Sequence, residues 1–155
     1  MNTVCFQIEA RILSVLRRLL GGTAEVVGFR ESAAEGTIKA VYGGRPEVRV
    51  TVSPGQAESY SSPLMEYAAK VAVNLDLEDD ATQAAFDDVS AVVEKLVEGW
   101  NMNENREEMS DALSCERFRV NGFRADGGQD AIDLSRENPR ISTTYAFAVR
   151  GVLKN

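Results

Sequence analysis

Apolar side chains recur along this chain with two different periods, and the changes of period divide it into elements. From Val4 to Leu20 the period is helical. Ile8, Ile12, Val15 and Leu19 follow one another at i, i+4, i+7 and i+11, and Leu16 and Leu20 widen the stripe. Asn2-Thr3 offers a cap, Arg17 and Arg18 lie in the last turn where the helix dipole favours cations, and Gly21-Gly22 ends the helix. Thr23–Arg30 reads as extended. Glu31–Arg45 is mixed, with a short strand at Ile38–Tyr42 and a hairpin turn at Gly43-Gly44.

At Pro46 the period changes to two. Val48, Val50 and Val52 share one face, with Arg49 and Thr51 on the other. Ser53–Pro63 holds two prolines, a glycine and several serines, which marks a loop or exposed hairpin tip. Leu64–Leu77 is the clearest strand: Tyr67, Ala69, Val71, Val73, Leu75 and Leu77 fall on one face, and Glu66, Lys70, Asn74 and Asp76 on the other. These two runs predict an antiparallel pair.

A second helix is expected over Ala81–Glu98, capped by Asp79-Asp80 and ended by Gly99. Its buried stripe is Phe86, Val89, Val93, Leu96, Val97 and Trp100. A short polar helix at Arg106–Leu113 follows, touching the core through Met109 and Leu113. Two alternating runs close the chain, Arg117–Arg124 and Thr143–Val152, separated by a loop rich in Asp, Gly and Asn. The order predicts one α+β domain over residues 1–155: a mostly antiparallel β-sheet with an N-terminal helix and a second long helix packed on one face.

Composition narrows the function classes without choosing one. The chain has 155 residues, 44% hydrophobic and 26% charged, as in an ordinary globular domain. It contains no apolar run long enough to span a bilayer. Gln7, Glu9 and Arg11 interrupt what would be the apolar region of a signal peptide, so the N-terminus reads as that of an intracellular chain. Cys5 and Cys115 are far apart and fit a buried pair of free thiols, with a disulfide as the alternative. Net charge is −7, distributed as +2 over residues 1–50, −11 over 51–115 and +2 over 116–155. Non-specific nucleic-acid binding is therefore disfavoured. The acidic middle is either a solvated helix face or a surface that meets basic regions of a neighbouring subunit.

Histidine is absent, which removes the commonest general base and the commonest metal ligand. The pairs Gly21-Gly22, Gly43-Gly44 and Gly127-Gly128 form no phosphate-binding loop. Asp126, Asp130 and Asp133 supply the oxygen ligands a hard cation wants, but without EF-hand spacing; a solvated loop or an inter-subunit charge contact explains them more simply. No cofactor, catalytic residue or metal site is assigned, and the chain is not expected to be an enzyme. The segments Ser53–Pro63 and Glu31–Arg45 have the composition of binding loops.

The run of elements, with Asp87-Asp88-Val89-Ser90-Ala91-Val92-Val93-Glu94-Lys95-Leu96 on the second helix, Phe118–Phe123 and Thr144–Leu153 at the end, resembles the tail-terminator and tail-completion proteins of long-tailed bacteriophages and prophages, of the lambda type. The resemblance covers nearly the whole chain in pattern, with loose sequence motifs. It implies a structural virion protein, assembled in the bacterial host cytoplasm, that forms a homo-oligomeric ring, usually a hexamer. Such a ring caps the tail tube and joins it to the head–tail connector. Ring contacts would fall on the sheet edges and the Glu31–Arg45 insertion, and tube contacts on Ser53–Pro63. The residues singled out for these contacts are Lys39, Tyr42, Arg45, Gln56, Tyr60, Asp126 and Asp130. The alternatives are a head–tail joining or other minor tail protein of the same fold, and a small cytoplasmic α+β ligand- or metal-binding domain using the Asp126–Asp133 segment.

Overall fold

A computed structural model describes residues 4–28, 41–42, 45–57, 64–76, 80–101, 106–134 and 140–154. In chain order these form α1 (Val4–Leu20), β1 (Glu25–Gly28), β2 (Val41–Tyr42), β3 (Arg45–Val52), β4 (Gln56–Ala57) and β5 (Leu64–Asp76). Then come α2 (Asp80–Asn101), α3 (Arg106–Leu113), β6 (Phe118–Asp133) and β7 (Arg140–Leu153). The sheet runs β1-β3-β5-β7-β6, with the two-residue strands β2 and β4 paired to β3 and β5. All pairings are antiparallel except β1 with β3, which is parallel. This is the expected α+β architecture.

Period-two alternation decides which face is buried. Val50 lies opposite Val71, and Val71 opposite Tyr145; Val52, Ala69 and Phe147 form the next row. These rows face the helices. Val48, Val50, Val73, Leu75 and Phe147 are fully buried, as are Ile8, Ile12 and Leu16 of α1. On α2 all six expected stripe residues are buried, and Leu113 of α3 seals the end of the core. Trp100 is the largest side chain in it, with its ring centroid 5.7 Å from Phe123 and 5.2 Å from Phe147. Tyr67 meets Phe118 edge-on at 5.0 Å.

Three expectations need correction. Gly99 does not end α2, which continues to Asn101. One glycine costs a helix only about 1 kcal/mol, and burying Trp100 outweighs that. Leu19 does not belong to the buried stripe of α1; it stands over the seam between α1 and α2, 49% exposed. The segment between the last two apolar runs is not a loop. β6 continues to Asp133 and β7 begins at Arg140, so much of it is paired strand. Its residues lack alternation because both faces of β6 beyond Phe123 meet solvent, so the ladder is held by backbone hydrogen bonds and polar side-chain contacts rather than by apolar packing. Register slips at Val120/Gly122 and Ala125/Gly128, with Gly127 at φ 87°, let the strand bend away from the core. Of the short strand expected at Ile38–Tyr42, Val41-Tyr42 are described, as strand; of Ser53–Pro63, residues 53–57 are described, with Gln56-Ala57 as strand.

Candidate functional site

The geometry divides the surface into a polar sheet face, a groove beside α2, and a seam between α1 and α2. The polar face lies opposite the helices. On it Glu47 is 1% exposed although it is charged, and its neighbours explain how it is held. Arg49 Nη2 stands 3.0 Å from Glu47 Oε1, and Asn74 Nδ2 donates to the same oxygen at 3.4 Å. Burial pushes the Glu47 carboxyl above the usual carboxylate range, against the opposing pull of Arg49, the Asn74 hydrogen bond and Arg140. Further along, Glu66 ion-pairs with Arg124 and, at 3.4 Å, with Arg150; Arg124 also reaches Asp126 at 2.6 Å. These pairs tie β5, β6 and β7 together across the outer face. They are exposed, so screening by solvent keeps each one weak.

The groove, of about 560 Å³, lies between α2 and the bare half of the β6–β7 hairpin. Gln83, Phe86, Ser90 and Glu94 form one wall, and Asp130, Ile132, Ile141 and Tyr145 form the other. Tyr145 Oη donates to the Ser90 carbonyl at 3.4 Å and closes its floor. Burial raises the Tyr145 hydroxyl pKa, so this donor keeps its proton at neutral pH. The groove's polar groups include the Thr143 hydroxyl, which donates to Asp130 at 2.6 Å on the exposed hairpin. The described residues contain no group of three or more acidic, cysteine or histidine side chains that could hold a metal.

The residues singled out from sequence separate as follows. Arg45 ion-pairs with Glu25 and donates to the Gly22 carbonyl at 2.9 Å, fastening β3 to the turn after α1. Asp126 is engaged by Arg124, and Asp130 accepts a 2.6 Å hydrogen bond from Thr143 Oγ1. They therefore do not converge on one cation. Tyr42 pairs with Arg45 on the backbone, and Gln56 pairs with Glu66. Lys39 and Tyr60 lie outside the described residues, as do most of Glu31–Arg45 and Asp79 of the expected helix cap. Cys5 and Cys115 are both buried and neither is in a disulfide.

Sequence reasoning missed the exposed apolar side chains. Leu19, Val92, Ile132 and Leu134 are 49%, 38%, 66% and 75% exposed. Periodicity could have flagged Val92, which falls off the buried stripe of α2. Nothing in the sequence pattern distinguishes Leu19 from its buried neighbours. Among the described residues no helix is long and apolar enough to cross a membrane.

No family model matches the chain, and neither does any curated protein sequence. Among solved structures, the chain is similar to one from the virion of a native gene transfer agent (GTA) particle. That alignment has a TM-score of 0.45 and 16% identity, and covers 96% of this chain and 95% of the other.

Proposed function

We propose that this chain is a structural subunit of a phage-like virion, of the tail-terminator kind, which assembles with copies of itself into a ring. The ring would cap the tail tube and join it to the head–tail connector; the subunit carries out no catalysis. A head–tail joining or minor tail protein of the same fold is the second reading. The observation that carries the proposal is the order of elements found over the chain: an amphipathic helix, a sheet pair, a long helix and a closing hairpin, the order on which the tail-terminator resemblance rests.

Two surface features fit assembly. β6 pairs with β7 on one side only among the described residues, leaving an edge that another chain can contact. Exposed apolar side chains lie at two different places, Leu19 and Val92 at the α1–α2 seam and Ile132 and Leu134 at the end of β6, which suits a ring in which each subunit presents one surface to the neighbour ahead and another to the neighbour behind.

The experiment is to add the purified chain to tail-tube subunits undergoing polymerisation and to measure tube length by electron microscopy. Tubes that stop growing and carry an added ring of density at one end support the reading. Tubes of unchanged length with no end density overturn it. Density at the connector instead of the tube end favours the head–tail joining reading.

A further inference from the structure

Among the described residues, the four exposed large hydrophobic side chains fall into two patches separated by α2. At about 100° per residue, Gln83, Ser90 and Glu94 cluster on one flank of this helix, and Val92 lies roughly 180° round from them. The buried stripe, Val89, Val93, Leu96 and Trp100, points between the two flanks into the core. One patch is the corner where β6 ends, with Ile132 and Leu134, bordering the groove on the first flank. The other patch is the α1–α2 seam on the second flank. There Leu19 and Val92 line two adjoining hollows of about 310 and 400 Å³.

Because the body of α2 stands between them, the corner of one chain does not reach its own seam. The patches also differ in charge. The corner groove carries Glu94 and Asp130 and no basic side chain. The hollow with Trp100 at its base carries Lys95 alone, and exposed Arg18 precedes Leu19 on α1. The adjoining hollow carries Asp88 and Arg45, the latter already ion-paired with Glu25.

We infer that the Ile132–Leu134 corner of one copy seats on the Leu19–Val92 seam of the next, so that a second copy of this chain occupies the seam. Isoleucine and leucine would leave water for an apolar cleft, while Asp130 and Glu94 come to face Lys95 and Arg18. Such a contact is heterologous: each copy uses its corner in one direction and its seam in the other, which generates a ring when the rotation closes. The inference rests on the reading of the chain as a self-assembling subunit, and it names the two surfaces that make the junction.

The test compares five chains by sedimentation and by oxidative trapping: the wild type, Ile132→Asp/Leu134→Asp, Leu134→Cys/Val92→Cys, and each of the two single-cysteine chains. Far-UV circular dichroism checks that each is folded; all the altered side chains are exposed or partly so. The wild type is expected to form a closed oligomer. The double-aspartate chain is expected to associate about thirty-fold or more weakly, as when an apolar anchor of an interface is lost. Oxidised with copper phenanthroline, the double-cysteine chain should give a covalent ladder rising to the ring number, whereas Leu134→Cys or Val92→Cys alone gives no ladder beyond a dimer. A wild-type oligomer matched by an equally stable double-aspartate oligomer, with no ladder, overturns this junction and leaves the ring reading standing. A wild type that stays monomeric at every concentration overturns both.

Discussion

Arg49 reaches back two residues along its own strand to Glu47, 3.0 Å from Nη2 to Oε1, on the sheet face turned away from the helices. The pair is incompletely satisfied among the described residues. Glu47 Oε2 and Arg49 Nε are both buried and find no hydrogen-bond partner there. Burial strips the Glu47 carboxylate of more solvation than Arg49, Asn74 and Arg140 give back. This is why the Glu47 carboxyl lies above its ordinary value of 4.5.

A pH prediction follows from that direction. The folded chain holds the Glu47 proton more tightly than the unfolded chain does. Its contribution to stability is therefore fully present below the unfolded value and is lost as pH rises through the folded value. Glu47→Gln cannot titrate. Its stability relative to the wild type should rise with pH through the acidic range and level off towards neutrality. Urea unfolding at a series of pH values measures the difference, and a difference independent of pH would contradict the burial argument.

Trp100 is the core's largest anchor, 1% exposed and flanked by Phe123 and Phe147. Trp100→Ala removes its apolar area and leaves a cavity that the two phenylalanines cannot close without leaving their own contacts. The expected cost is about 3–5 kcal/mol in chemical denaturation. Val92→Ala, on the exposed flank of the same helix, should cost less than about 1 kcal/mol.

Gly151 of β7 lies opposite Val120 of β6, with no room for a side chain. A β-carbon there would collide with the Arg119 carbonyl oxygen and come within 2.8 Å of the Phe118 ring. Gly151→Ala should destabilise the hairpin by about 1–3 kcal/mol. Gly22→Ala, with nothing within 4 Å of the added carbon, should be nearly neutral. Hydrogen exchange would show the first substitution loosening amides of both β6 and β7.

The buried thiols offer a probe of cooperativity. Cys5 packs within α1 and Cys115 sits beside the start of β6. Both are expected to resist alkylation in the native state and to react together once the core opens. Rapid modification of either in the native chain would contradict their burial.

Much of this fold was legible in the sequence, for physical reasons that differ by element. The bounds of α1 and α3 agree with those read from periodicity and end signals, because α1 is amphipathic and stopped by paired glycines. β5 was legible because every second side chain is apolar and every one of those from Tyr67 to Leu75 is buried. The outer half of β6 was not, since a strand exposed on both faces carries no hydrophobic alternation. The parallel pairing of β1 to β3 also left no local mark: pairing partners are set by the fold, and both strands alternate in the same way.

The candidate surfaces were less legible. Composition drew attention to the loops and to the aspartates of β6, and the structure places Asp126 and Asp130 in separate local contacts. The exposed apolar corner and seam have no sequence signature of their own. Leu19 repeats at core spacing and is exposed only because α1 and α2 leave a gap at that height; Ile132 and Leu134 sit in an otherwise polar run. Such patches become visible when burial is known, as isolated apolar side chains on a surface are common and only their grouping is informative.

The most direct test of the account is the mass of the wild-type chain by native mass spectrometry, over a range of concentrations up to the highest it tolerates. A ring-forming chain gives a single closed multiple of 16.9 kDa, expected to be a hexamer, in exchange with monomer on dilution. A monomer at all concentrations, or an open series of sizes without a preferred multiple, would contradict the account.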